Sequence, residues 1–115
     1  MSFTLTMSGV IVGRSELETR DPATQLARGA FRPGLGYDLV QPVFALYETA
    51  AGNEAGLAKY RKAREALRLQ LADSSGAPLT VEELHVRQAA DHESSESGLV
   101  LEVQTSDPII WPTRR

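Results

Sequence analysis

Between Arg14 and Asp21 the chain sets three carboxylates, Glu16, Glu18 and Asp21, beside the guanidinium groups of Arg14 and Arg20. Paired carboxylates do general acid/base work when their surroundings split their proton affinities. Mixed with arginines, the same groups build ion-pair networks or the charged rim of a recognition surface. The mixture of signs favours the second use. Ser15-Glu16-Leu17-Glu18 also has the form of a helix capping box, with Ser15 bonding an amide three residues on and Glu18 reaching back. As a nucleophile, Ser15 lacks the glycine pair of a nucleophile elbow and has no histidine near it in sequence. No catalytic residue is assigned. The candidate binding residues are Glu16, Glu18, Arg20 and Asp21, with the aromatics Phe31 and Tyr37.

The other polar clusters carry less chemistry. His85 stands between Leu84 and Val86 in an apparent strand, and His92 lies in Asp91-His92-Glu93 within an acid-rich stretch. A single histidine beside carboxylates binds a divalent metal weakly. The chain has no His-x-x-x-His and no second cluster at ligand spacing, so no metal and no cofactor are expected. Lys59, Arg61, Lys62, Arg64 and Arg68 form a basic run in which Arg61, Arg64 and Arg68 share one side of a helix. Only Tyr60 interleaves with them and Glu65 interrupts them, so the run reads as a solvated helix face. Gly34-Leu35-Gly36 is too short for a dinucleotide fingerprint and follows proline, not a strand.

The elements that must position these groups follow from hydrophobic periodicity. Phe3, Leu5 and Met7 alternate with Thr4, Thr6 and Ser8, and Val10-Ile11-Val12 continues the apolar run past Gly9, which predicts a strand over residues 2–12. Asp21-Pro22 fits the start of a short helix through Arg28, but residues 26–31 also sort into alternating faces, and a strand over 22–32 is the preferred reading. Gly13 to Asp21 is then a long connecting loop.

Tyr37, Val40, Phe44 and Tyr47 trace one helical stripe from Gly36 to about Thr49, which Pro42 either kinks or splits. These aromatics read first as core. Asn53 caps a second helix carrying Leu57, Tyr60 and Ala63 on one face. Leu67, Leu69 and Leu71 then alternate as a strand, Asp73 to Pro78 is a turn, and Leu79 to Val86 and Leu99 to Val103 are further strands. The last three strands are expected to form a meander. The apolar tail Ile109 to Pro112 is expected to dock on the body or on another subunit.

Composition narrows the function classes. A chain of 115 residues that is 42% hydrophobic and 23% charged suits one domain, residues 1–115, with a single core. A net charge of -3 and a pI near 5.3 provide no field to attract a polyanion, so nucleic acid is disfavoured. The chain has no cysteine, which excludes disulfides, thiolate metal sites and a cysteine nucleophile, and it suits a reducing compartment. A cytoplasmic location is expected, with no signal peptide and no membrane partner.

The pattern Gly13-x-Ser15-Glu16-Leu17-Glu18-x-Arg20-Asp21-Pro22, followed by Gly29-x-Phe31-x-Pro33, Tyr37 and Pro42, resembles one found in small bacterial proteins with no activity attached. The resemblance covers most of the chain and transfers no catalytic residue. It implies a bacterial, cytosolic, stand-alone domain.

The expected fold is α+β: an antiparallel sheet of four to five strands with one or two helices, residues 36–65, packed on one face. The expected function is a non-catalytic protein-interaction module of the accessory or immunity kind. The competing expectation is a small enzyme or ligand-binding domain, with a pocket between helix and sheet lined by Tyr37, Phe44 and Tyr47. An exposed sheet edge and the apolar tail point to a homodimer.

Overall fold

The first hairpin sets the frame for the rest. In the computed structural model, which describes residues 2–50, 52–90, 93, 95 and 97–106, β1 (Phe3–Met7) turns at Ser8-Gly9 and returns as β2 (Val10–Ser15). The expectations for His92 and the Ile109 to Pro112 tail fall outside the described residues. The single strand expected over residues 2–12 is thus two strands. Ser8 and Gly9 both adopt positive φ, 52° and 83°, the backbone of a two-residue hairpin turn, and this outweighs the unbroken apolar run on either side.

The segment Gly13 to Asp21 is mostly strand, not loop. β2 runs to Ser15, the chain bulges through residues 16–18, and β3 (Thr19–Asp21) resumes along the same edge of β4 (Leu26–Pro33). Leu17 makes the bulge, at φ 47°. A left-handed residue costs about 1–2 kcal/mol, whereas burying a leucine contributes about 1.5–3 kcal/mol, and Leu17 is fully buried in the core. The burial offsets the strain.

Two helices follow. α1 (Tyr37–Thr49) is continuous across Pro42 and neither splits nor restarts there. Pro42 lies on the exposed side in the second turn, so the one hydrogen bond it removes, to the Asp38 carbonyl, is lost where water can replace it. α2 (Glu54–Leu67) starts at Asn53, whose Oδ1 accepts from the Gly56 amide at 3.0 Å, and ends at Arg68 in the left-handed conformation. That C-cap turns the chain directly into β5 (Leu69–Ala72), followed by β6 (Glu83–Gln88) and β7 (Leu99–Gln104).

The architecture is α+β, with an antiparallel sheet in the order β5-β1-β2-β4-β7-β6 and β3 paired to β4. The seven strands exceed the four to five expected, because the apolar run over residues 2–12 hides a hairpin and the charged segment before Pro22 hides β3. The last three strands do not form a meander. β6 and β7 pair, but β5 joins β1 at the opposite edge of the sheet. Local spacing after Leu71 carries no record of that choice, which is made by the tertiary position of the end of α2.

The core gathers Phe3, Leu5, Val12, Leu17, Phe31, Leu71, Leu84 and Leu101 from the sheet with Val40, Phe44 and Tyr60 from the helices. Leu71 and Leu84 stand on the two terminal strands yet join one cluster and line one cleft, so the sheet curls strongly. Both terminal edges carry partners. On β5 the Leu71 carbonyl accepts from Leu79 N–H at 2.8 Å. On β6 the Leu84 carbonyl accepts from Tyr60 O–H at 3.2 Å and Arg64 Nη1 at 3.0 Å, and Gln88 N–H donates to Glu48 at 2.8 Å. No helix among the described residues is long and apolar enough to cross a membrane.

Candidate functional site

Three surfaces compete, and the first is the charged bulge. Ser15 Oγ accepts from the Leu17 amide at 3.1 Å, two residues on, and Glu18 accepts from the Ala30 amide at 3.3 Å. The capping-box expectation fails because there is no helix to cap: both side chains close a β-bulge. Gly29 is required beneath it, since a Cβ there would lie 2.3 Å from Glu18 Oε1 and 2.8 Å from the Leu17 nitrogen. Arg20 donates through Nε to the Leu17 carbonyl at 2.9 Å and lies over the Phe3 ring. Asp21 accepts from Ala23 in a local turn, and Glu16 meets Arg32 loosely at 3.8 Å. Glu16, Glu18, Arg20 and Asp21 are exposed and grouped on this bulge. The structure does not bring Phe31 to them as surface: its ring is fully buried, tilted against the half-buried Tyr37.

The second surface is a cleft of about 450 Å³ between the helices and the sheet, lined by Tyr47, Leu57, Arg61, Glu83, His85 and Glu102 among others. The pairing of β6 with β7 places His85 opposite Glu102, and that of β4 with β7 places Arg28 opposite Glu102. His85 Nε2 lies 2.6 Å from Glu102 Oε1, while Arg87 and Arg28 each approach that carboxylate at 3.5 Å. The hydrogen bond from His85 first, and after it the electrostatic attraction of His85 and Arg87, hold the Glu102 carboxyl below its ordinary range against the opposing effect of burial. Glu102 is therefore ionised and only accepts, so His85 donates through Nε2. Nδ1 is buried without a partner.

The ring is held in place by Tyr47, stacked on it at 4.0 Å and 22°. Arg87 in turn grips Glu93 through two bonds of 2.7 and 2.8 Å, which raise its proton affinity further. Of the aromatic stripe, Phe44 belongs to the filled core, and Tyr37 and Tyr47 stay half-buried at its margin.

The basic run is not the wholly solvated helix face expected of it. Arg64 is not solvated: its side chain is 11% exposed, bonded to Glu83 at 3.0 Å and lying over the Tyr60 ring. Burial alone would lower its proton affinity, but the bonds to Glu83 and Tyr60 win and raise it. Among the described residues no group of three or more potential ligands is placed to hold a metal ion.

The third surface is apolar and was not singled out by sequence. Leu35 is 99% exposed, Leu39 63%, and Val10 and Ile11 about 40%. The Gly34 amide donates to the Val12 carbonyl at 2.7 Å and the Gly36 amide to the Ile11 carbonyl at 2.9 Å, so Leu35 is gripped on both sides. A Cβ at Gly36 would stand 2.8 Å from Val10 Cγ1 and 2.9 Å from the Ile11 oxygen. The glycines that made Gly34-Leu35-Gly36 resemble a phosphate loop instead let it lie flat on β2. The available signal was an aliphatic residue between two glycines, with another four positions on.

Comparison with protein-family models, curated proteins and solved structures finds no match.

Proposed function

We propose that this protein is a non-catalytic interaction module, an accessory or immunity-type factor of the bacterial cytoplasm, that docks another protein through Val10, Ile11, Leu35 and Leu39. One observation carries the reading: Leu35 is almost wholly exposed while its flanking amides are hydrogen-bonded to β2. A large apolar side chain held rigidly in water loses little further conformational freedom on burial, which is the economy of a preorganised anchor.

The neighbouring charges favour a partner of different sequence. Arg14 and Arg32 face one another across β2 and β4, two residues, or about 7 Å of strand, before the Gly34 clamp. Two copies meeting symmetrically on this end would bring four arginines together against two Glu16 carboxylates that reach Arg32 only loosely, at 3.8 Å, which leaves a net cost in like-charge repulsion. A partner with an apolar pocket rimmed by carboxylates fits both features. On the β5 and β6 edges the Leu71 and Leu84 carbonyls and the Gln88 amide are already hydrogen-bonded, which leaves less of each edge for a second copy.

The test compares the protein with its Leu35→Asp/Leu39→Asp variant in affinity capture from the native host, read by mass spectrometry, with sedimentation of each alone. The expected result is a monomer by sedimentation and a captured protein that is lost with the variant and with rising salt. Equal capture by both forms, or self-association abolished by the variant, overturns the proposal.

A second reading, a small enzyme or ligand-binding domain using the helix–sheet cleft, is favoured by the unpartnered His85 Nδ1.

A further inference from the structure

Arg14 and Arg32 are directly opposed across β2 and β4, in a row that Thr4 continues on β1. Directly opposed residues share one face of a sheet with Cβ atoms about 5 Å apart, and a like-charged pair in that position is destabilising. The surroundings do little to relieve it. Arg32 is 75% exposed and meets Glu16 only at 3.8 Å, while Arg14 is exposed and has no carboxylate partner among the described residues. The other nearby acid, Glu18, spends an oxygen on the Ala30 amide. By contrast Arg20, Arg28, Arg64 and Arg87 each reach a carbonyl or carboxylate of the fold. The fold thus has no use for the opposed pair and bears its repulsion.

We infer that the Thr4-Arg14-Arg32 row is a binding site for a phosphate monoester. Two guanidinium forks present N–H donors that suit tetrahedral phosphate oxygens, and the Thr4 hydroxyl stands next in the row as a further donor. Charge selects the ligand. A phosphate monoester carries about 1.5 to 2 negative charges at pH 7, enough to neutralise both arginines, whereas a carboxylate or a sulfate ester carries one and leaves part of the repulsion standing. Nucleic acid fits less well, because each phosphodiester carries one charge and the face offers no aromatic ring to a base: Thr6, Ile11 and Gln70 continue it. Glu16 must leave Arg32 as the ligand enters, so its loose contact is a weak competitor. The inference goes beyond the docking reading, which needs from these arginines only their charge.

Three probes that share one ring separate charge from shape: phenyl phosphate, phenyl sulfate and benzoate. Each is titrated into the full chain at constant ionic strength and followed by amide and arginine Nε–H NMR. Phenyl phosphate should saturate shifts at residues 4, 14 and 32 with a millimolar dissociation constant, about fivefold or more below those of the two monoanions. Lowering the pH from about 7.5 to about 5, through the second ionisation of the ester, should weaken it toward phenyl sulfate.

Arg14→Gln and Arg32→Gln should each abolish the saturation with the melting temperature unchanged or raised, since a repulsion is removed, and Glu16→Gln should tighten binding. A short peptide with phosphoserine between two leucines identifies the source of the ester. Tighter binding than phenyl phosphate, lost in Leu35→Asp, supports the site with a phosphorylated partner; equal binding supports it with a free ester. Unsaturated shifts of equal size for all three probes overturn the inference. So does benzoate binding as tightly as phenyl phosphate, or saturation that survives in both arginine variants.

Discussion

The helix–sheet cleft and the apolar end are built from opposite materials and held by opposite means. In the cleft, charged side chains are themselves structural. Glu102, 15% exposed, is the common partner of His85, Arg87 and Arg28, and Arg64 ties Glu83 to the β6 edge. At the apolar end the side chains hold nothing: Leu35 and Leu39 project into water, and the backbone of two glycines does the holding. The difference separates stability from function. Substitutions in the cleft should act through the fold, whereas substitutions at the apolar end should act on whatever it meets.

The largest effect should come from Glu102→Ala. It leaves a buried imidazole and two partly buried guanidiniums without their shared carboxylate, and breaking such a pair costs about 3 kcal/mol, measured by chemical denaturation. The acid limb gives an independent check. Because the Glu102 carboxyl is held low in the folded state, the carboxylate stabilises the protein above its unfolded value and that contribution is lost as pH falls through the folded one. Wild type should therefore lose stability steeply below about pH 4, and Glu102→Gln should begin less stable but fall less. Parallel acid limbs would show that the network is not coupled to folding.

That network also marks how far the sequence is legible. The Asn53 cap, the Asp73 turn and the alternation of β7 can all be read locally, because each is decided by a few neighbouring residues. The His85 to Glu102 pair cannot. It depends on the register of a hairpin whose connecting loop conceals the turn, and a shift of one residue would send His85 to the other face. Glu82-Glu83 interrupts the apolar alternation between Leu79 and Val86, and Glu83 faces Arg61 and Arg64. Leu17 was hidden for a related reason: a bulge that plugs the core looks like charged loop until its partner strand is known. The bonds on the β6 edge likewise come from residues far away in the chain, Glu48, Tyr60 and Arg64.

An intermediate effect is expected at Gly36→Ala, where the two regions' logics meet. The added Cβ is opposed by the Ile11 carbonyl, which is backbone and cannot swing aside as a side chain tip would. Displacing the loop forfeits the hydrogen bond to that carbonyl, about 1 kcal/mol, together with some overpacking, for a total of about 1–2 kcal/mol. Amide exchange at Gly36 should accelerate while exchange in β6 and β7 stays unchanged. Unchanged exchange at Gly36 would mean that the clamp on Leu35 is weaker than its geometry indicates.

The smallest stability effect should accompany the largest loss of binding, at Leu35→Ser/Leu39→Ser. Neither side chain belongs to the core cluster, so denaturation should place the double variant within about 0.5 kcal/mol of wild type, the range of ordinary surface substitutions. Removing two exposed leucines even improves the solvent-facing surface, which opposes any loss from the first turn of α1. A cost above about 2 kcal/mol would instead give these leucines a structural role comparable with buried positions, and it would weaken the case that they are kept for a partner. Near-neutral stability combined with lost capture would be difficult to explain by anything except recognition, since the fold gains nothing from leaving Leu35 in water.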